Sequence, residues 1–170
     1  MNLTSIIERM AGFPHVLRMA VDGIPPADLR WRPDPAAWSI LDILDHVYLE
    51  ELRDFGPRLR STLEDATRSW TPLDPAGSLR ERQATTHDAQ DTLDAFRDAR
   101  AASIKWLRGL GVDDWNVAYA HPSIGDLRAG DLLAAWAAHD TLHHRQLVQR
   151  RFQLVQRDAA PFSTGYAGDW

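Results

Sequence analysis

Cysteine is absent from all 170 residues. That excludes disulfides, thiolate zinc sites and a cysteine nucleophile, and it leaves His, carboxylate, carbonyl or water oxygen as the only ligands for a metal. No apolar run approaches the length of a membrane span. The opening stretch meets Glu8 and Arg9 too early to form a signal-peptide core. A cytoplasmic protein with no membrane partner is therefore expected. A basic footprint is also missing: the formal net charge is -5 and the arginines are scattered among Asp and Glu, so nucleic acid is not an expected partner. Lysine is nearly absent, Lys105 being the only one. Alternating β-branched runs that would mark a sheet do not occur.

What the chain does contain is enough apolar material, 44% of its residues, for one domain to bury a core unaided. Four stretches space that material at the helical period. The first runs from about Leu3 to Val21, with Ile7, Met10, Phe13 and Leu17 on one side and Pro14 as an expected kink or break. After a turn-rich segment from Gly23 to Pro35, Ser39 offers an N-cap for the second helix, with Asp42 completing a shortened capping box. This helix is expected to reach about Ala66, bent at Gly56-Pro57. Leu93, Phe96, Ile104 and Leu107 mark a third helix closed by Gly109, and a fourth starts near Leu127 to Asp131 and ends at about Leu154. The fold class is all-α, a four-helix bundle over residues 1–156 with an irregular tail over 157–170. Bundles of this kind bury helix faces against one another, so a homodimer is expected.

Bundles build their metal and cofactor sites from inward-facing side chains, so the facing of each histidine matters. At about 100° per residue, His139 and His143 fall inside the apolar arc set by Leu132, Trp136 and Leu147, with Gln146 beside them. His15, His87, His121 and His144 fall on solvated faces, arc edges or a loop. Two imidazoles one turn apart bring their nitrogens within reach of one ion. The plain alternative is a core pair, each ring satisfied by a carboxylate or carbonyl. A third ligand must come from another helix. His46 is the candidate, although it lies off the apolar arc on a stripe with Asp42 and Glu50 and can equally be a surface histidine flanked by acids. Asp42 or Glu50 could itself be a ligand or accept an imidazole N–H.

Trp38-Ser39-Ile40-Leu41-Asp42-Ile43-Leu44-Asp45-His46-Val47, followed by Glu50 and Glu51 and approached by Trp31-Arg32-Pro33, resembles the second-helix signature of the DinB/YfiT-like metalloenzyme family. Ala138-His139-Asp140-Thr141-Leu142-His143-His144-Arg145-Gln146-Leu147 is similar to the family's fourth-helix motif, two histidines four apart preceding a glutamine. The resemblance covers about Leu3 to Leu154. It implies a four-helix bundle that binds a divalent ion, commonly zinc or nickel, through His46, His139 and His143.

Three neutral imidazoles leave such an ion open to water or substrate, as in catalytic sites, and the ion acidifies a bound water or thiol. Some relatives are transferases or isomerases that use a low-molecular-weight thiol such as bacillithiol or mycothiol, and others are regarded as hydrolases. The leading expectation is thiol transfer to a small electrophilic molecule. Having no cysteine, the chain would need an exogenous thiol. Arg145 or Arg150 would bind a cofactor carboxylate, and Trp136 would wall the substrate pocket, though core packing is the commoner role of such a tryptophan. The alternatives are metal-assisted hydrolysis, with Glu50 or Asp42 as general base, and a non-enzymatic stress-response module that the ion stiffens.

Overall fold

A computed structural model describes residues 1–112 and 114–168. Asp113 and the end of the expected tail, Asp169 and Trp170, lie outside the described residues. The helices are α1 (Leu3–Val21), α2 (Pro26–Leu29), α3 (Ile40–Arg53), α4 (Phe55–Glu64), α5 (Pro75–Gln83), α6 (Ala89–Arg108) and α7 (Ala129–Ala159). A short hairpin of β1 (Ala118–His121) and β2 (Gly125–Arg128) precedes α7. The bundle consists of α1, α3 continued by α4, α6 and α7; α1 and α3 each pack against both α6 and α7. No helix among the described residues is long and apolar enough to cross a membrane.

Local chemistry explains most boundaries. Ser39 accepts from the Asp42 amide while Asp42 accepts from the Ser39 amide, the reciprocal cap that starts α3. Asp88 and Asp91 do the same for α6. α1 passes through Pro14 without a break. Proline has no N–H, so the Met10 carbonyl lacks its donor one turn on; Arg100 Nη1 supplies one at 3.1 Å. The expected bend of the second helix is a break one step earlier, at Asp54, where φ is -112° and ψ is -91°. Pro57 then falls in the first turn of α4, where a missing N–H costs little. Gly56 packs directly on α7: a Cβ there would meet the Trp136 ring at 3.2 Å.

Three expectations are corrected. The segment before α7 is not all loop, because Ala118 to His121 pair antiparallel with Arg128 to Gly125. Strands of four residues are too short for alternation to stand out in a sequence. The hairpin is held from outside by Trp70, stacked on Tyr119 at 4.1 Å between ring centroids. α7 continues past Leu154 to Ala159, since nothing in that run breaks a helix before Pro161; the tail therefore begins later than residue 157 and includes a 3-10 turn at Gly165–Ala167. His87 is not a solvated residue of the third helix. It precedes the Asp88 cap, and its buried ring contacts Asp45 at 2.8 Å.

The apolar core falls into two clusters. One gathers Phe13, Leu17, Ile43, Leu44, Leu93, Phe96 and Leu147. The other gathers Met10, Leu59, Ile104, Leu107, Leu133 and Trp136. Between them along the helices lie Glu51, Arg100 and Asp140, all buried, and at that level α3 and α7 also carry the histidines.

Candidate metal centre

α3 and α7 place His46, His139 and His143 together, with their ligand atoms all within 4.8 Å of one another. His139 Nε2 lies 3.0 Å from His143 Nε2 and 3.3 Å from His46 Nε2. Two nitrogens each about 2.1 Å from one ion and about 90–110° apart are separated by about 3.0–3.4 Å, so both spacings suit a common divalent ion.

The outer nitrogens fix the sense of the inner ones. His143 Nδ1 lies 2.9 Å from Gln146 Oε1; the amide oxygen can only accept, so Nδ1 carries the proton and Nε2 presents a lone pair. His46 Nδ1 faces Glu50 Oε1 at 3.8 Å, beyond hydrogen-bond distance, on the side of the ring away from His139. Burial pulls the His46 pKa down to about 4, helped by the neighbouring His143. Burial likewise pulls His139 down to about 3, helped by His143, His46 and Arg100. Burial lowers His143 too, against the opposing hydrogen bond that it donates to Gln146. All three rings are therefore neutral at pH 7, the state a metal requires. Three imidazole nitrogens that converge in a half-buried site make a donor set that suits zinc or nickel.

Trp38 and Phe55 wall the cluster. The Trp38 ring lies 4.8 Å from His46 and stacks over His143 at 6.4 Å, and Phe55 lies 5.0 Å from His139. Trp38 is positioned by α7, whose Arg150 Nε donates to its carbonyl at 2.7 Å. Phe55 opens α4 just after the Asp54 break. Neither residue was picked out from the sequence. The one available signal was that Trp38 directly precedes the Ser39 cap, one helical entry away from His46.

The remaining expected site residues are distributed differently. Asp42 is buried and spent: its Oδ2 takes the Ser39 amide at 2.7 Å and the Arg32 guanidinium at 2.8 Å, and its Oδ1 takes Gln83 Nε2 at 2.7 Å. It caps α3 and ties α5 to it, and both its oxygens are engaged by these partners rather than by the histidines. Glu50 stands beside His46, but burial and a hydrogen bond with Asp54 push its carboxyl up to about 8, against the pull of Arg58, so it holds a proton at neutral pH. Trp136 is fully buried, stacks on Phe55 and donates Nε1 to Glu51 Oε2 at 3.0 Å; its indole runs into the core and lines no open pocket. Arg145 is exposed, and two residues beyond His143 on a helix is about 200° round the axis, which carries it away from the cluster. Arg150 is occupied by the Trp38 carbonyl and Gln153.

A family model described as the DinB superfamily matches residues 10–147. No curated protein matches. Among solved structures, YfiT from Bacillus subtilis is similar over 89% of this chain and 87% of its own, with 16% sequence identity and a TM-score of 0.79. That protein is described as a probable metal-dependent hydrolase with an unusual four-helix bundle topology. The likeness establishes the four-helix bundle fold expected from the motifs.

Proposed function

The chain belongs to the DinB superfamily, and on that footing we propose that it is a divalent-metal-dependent enzyme that transfers an exogenous low-molecular-weight thiol, of the bacillithiol or mycothiol kind, to a small electrophile. The observation that carries it is the convergence of three Nε2 atoms, with the Nδ1 of His46 and His143 turned outward to Glu50 and Gln146. When bound, a divalent ion there would acidify a ligated thiol at neutral pH. Trp38 and Phe55 exclude water from the faces of the imidazoles and offer flat apolar walls to an electrophile.

Thiol transfer is preferred over hydrolysis because neither carboxylate considered as a base faces the converging nitrogens. Asp42 is committed to its cap and ties, and Glu50 lies on the Nδ1 side of His46, away from the Nε2 atoms. A thiol supplied by a cosubstrate needs no protein base once it is ionised. The test is to load the chain with zinc or nickel and follow thiol consumption against a chloronitroarene. A metal-dependent rate that disappears in His46→Ala supports transfer, and no rate above the metal-free protein rejects it.

Hydrolysis is the second reading, favoured by the structural likeness to YfiT, described as a probable metal-dependent hydrolase. Turnover of ester or amide substrates with metal and no thiol would select it.

A further inference from the structure

On the opposite side of the bundle, α1 and α6 leave a cavity of about 650 Å³ between them, within the range of small-molecule sites. Its origin is in the sequence. Ala11 and Pro14 on α1 face Leu93, Ala101 and Ile104 on α6, and small side chains at the crossing cannot fill the space between the two helices. The floor is apolar. The rim is cationic, carrying Arg18, Arg97, Lys105 and Arg108 with His15, and no carboxylate lines the cavity. On a chain with a net charge of -5, such a concentration of one sign is a local feature with a direction.

Most of that charge is already answered from outside the cavity. Arg18 and Arg97 both reach Asp94, and Arg108 reaches Glu8 at 2.7 Å. Arg100, at the base, turns its donors inward to Glu51, Asp140 and the Met10 carbonyl. Lys105 is different. It is exposed and, among the described residues, has no ion pair or hydrogen bond. The only lysine of the chain thus stands uncompensated at the edge of an apolar groove.

We propose that this groove binds a free amphipathic anion, with Lys105 taking the carboxylate or a similar acidic head group and the Leu93, Ala101 and Ile104 side of α6 taking the apolar body. The site is separate from the histidine cluster, and neither Lys105 nor Ala101 touches it.

Isothermal titration of the full chain with decanoate tests the assignment. One decanoate per chain is expected, with decanol and acetate each at least about tenfold weaker because each lacks one half of the recognition. Lys105→Glu should weaken decanoate by at least about tenfold. Ala101→Trp, an exposed helix position that fills the groove without changing charge, should abolish binding. Met19→Gln, in a different apolar cavity bounded by α1 and α7, should leave it unchanged, and metal content should be the same in all three variants. Decanoate that does not bind, that binds both groove variants as well as the parent, or that is matched by decanol would overturn the proposal. Co-sedimentation with phosphatidylglycerol vesicles that depends on Lys105 would also overturn it, in favour of a lipid surface.

Discussion

Two polar clusters sit at the same level of this bundle and solve the burial problem in opposite ways. Glu51, Arg100 and Asp140 answer charge with charge: Arg100 gives Nε to Glu51 at 3.0 Å and a bidentate pair to Asp140 at 2.6 and 2.9 Å, while Glu51 Oε1 is left without a partner. Burial pulls the Arg100 pKa down, but Asp140 and Glu51 outweigh it and hold the guanidinium charged. His46, His139 and His143 have no such complement. They turn their Nε2 atoms toward one another, and His143 keeps its proton on the outside, toward Gln146. An ion-paired cluster contributes structure, whereas three converging imidazoles with no ionic partner make a donor set that could hold a metal ion.

Removing the guanidinium should have the largest effect. Arg100→Leu leaves Asp140 and the Met10 carbonyl unanswered and Glu51 with only the Trp136 indole, and breaking such a buried pair costs about 3–5 kcal/mol. Urea unfolding should show a loss of that order, and a loss below about 1 kcal/mol would mean the layer is not self-contained. His139→Ala should act the other way round. Metal per chain, by elemental analysis, should fall from about one to near zero, while the metal-free protein loses far less stability than in Arg100→Leu, because the His139 ring is only half-buried and leaves no buried charge unpaired. A destabilised metal-free protein that still holds its ion would erase the contrast between the clusters.

Gln146→Ala is expected to be milder. Loss of the acceptor on His143 Nδ1 should weaken metal affinity by about 10–100-fold without emptying the site at high metal, as a competitive chelator titration would read. A last comparison is that of pH. His46 and His139 protonate near 4 and 3 when folded against an ordinary value of 6.5. Below pH 6.5 the unfolded chain therefore takes up protons at these rings that the folded one refuses, so the stability they contribute should fall from about pH 6.5 toward 3; it is read as the difference between the metal-free parent and His46→Gln, because Glu50 and Asp140, raised to about 8 and 6, titrate with the opposite sign in both. Metal retention at pH 6, where an exposed histidine would be largely protonated, checks the same point.

Much of this contrast could be read in part from the chain. His139 and His143 are one turn apart on an apolar arc, and Asp140 follows His139, but nothing in the spacing says that Asp140 meets Arg100 from another helix. Asp42 looked available to the histidines on the α3 stripe. In the fold it takes Gln83 of α5 instead, and Asp45 beside it takes Arg82, His87 and Thr92. Helical period places a residue on a face; it does not say which neighbour covers that face. The β1–β2 hairpin escaped notice because two four-residue strands carry too little alternation to be distinguished from loop.

By itself the sequence determined what local forces control: the Ser39 and Asp88 caps, the helical class, the exclusion of cysteine chemistry and the pairing of two histidines on one turn. These depend on residues three or four apart, where backbone geometry sets the distance. Only the tertiary structure decided that His46 completes the cluster, that Trp38 and Phe55 rather than Trp136 wall it, and that Glu50 stands behind an imidazole while Asp42 is spent on a cap. Those outcomes turn on how closely α3, α4 and α7 approach one another, and that depends on what each helix packs against, Gly56 beneath Trp136 and Arg150 on the Trp38 carbonyl among them.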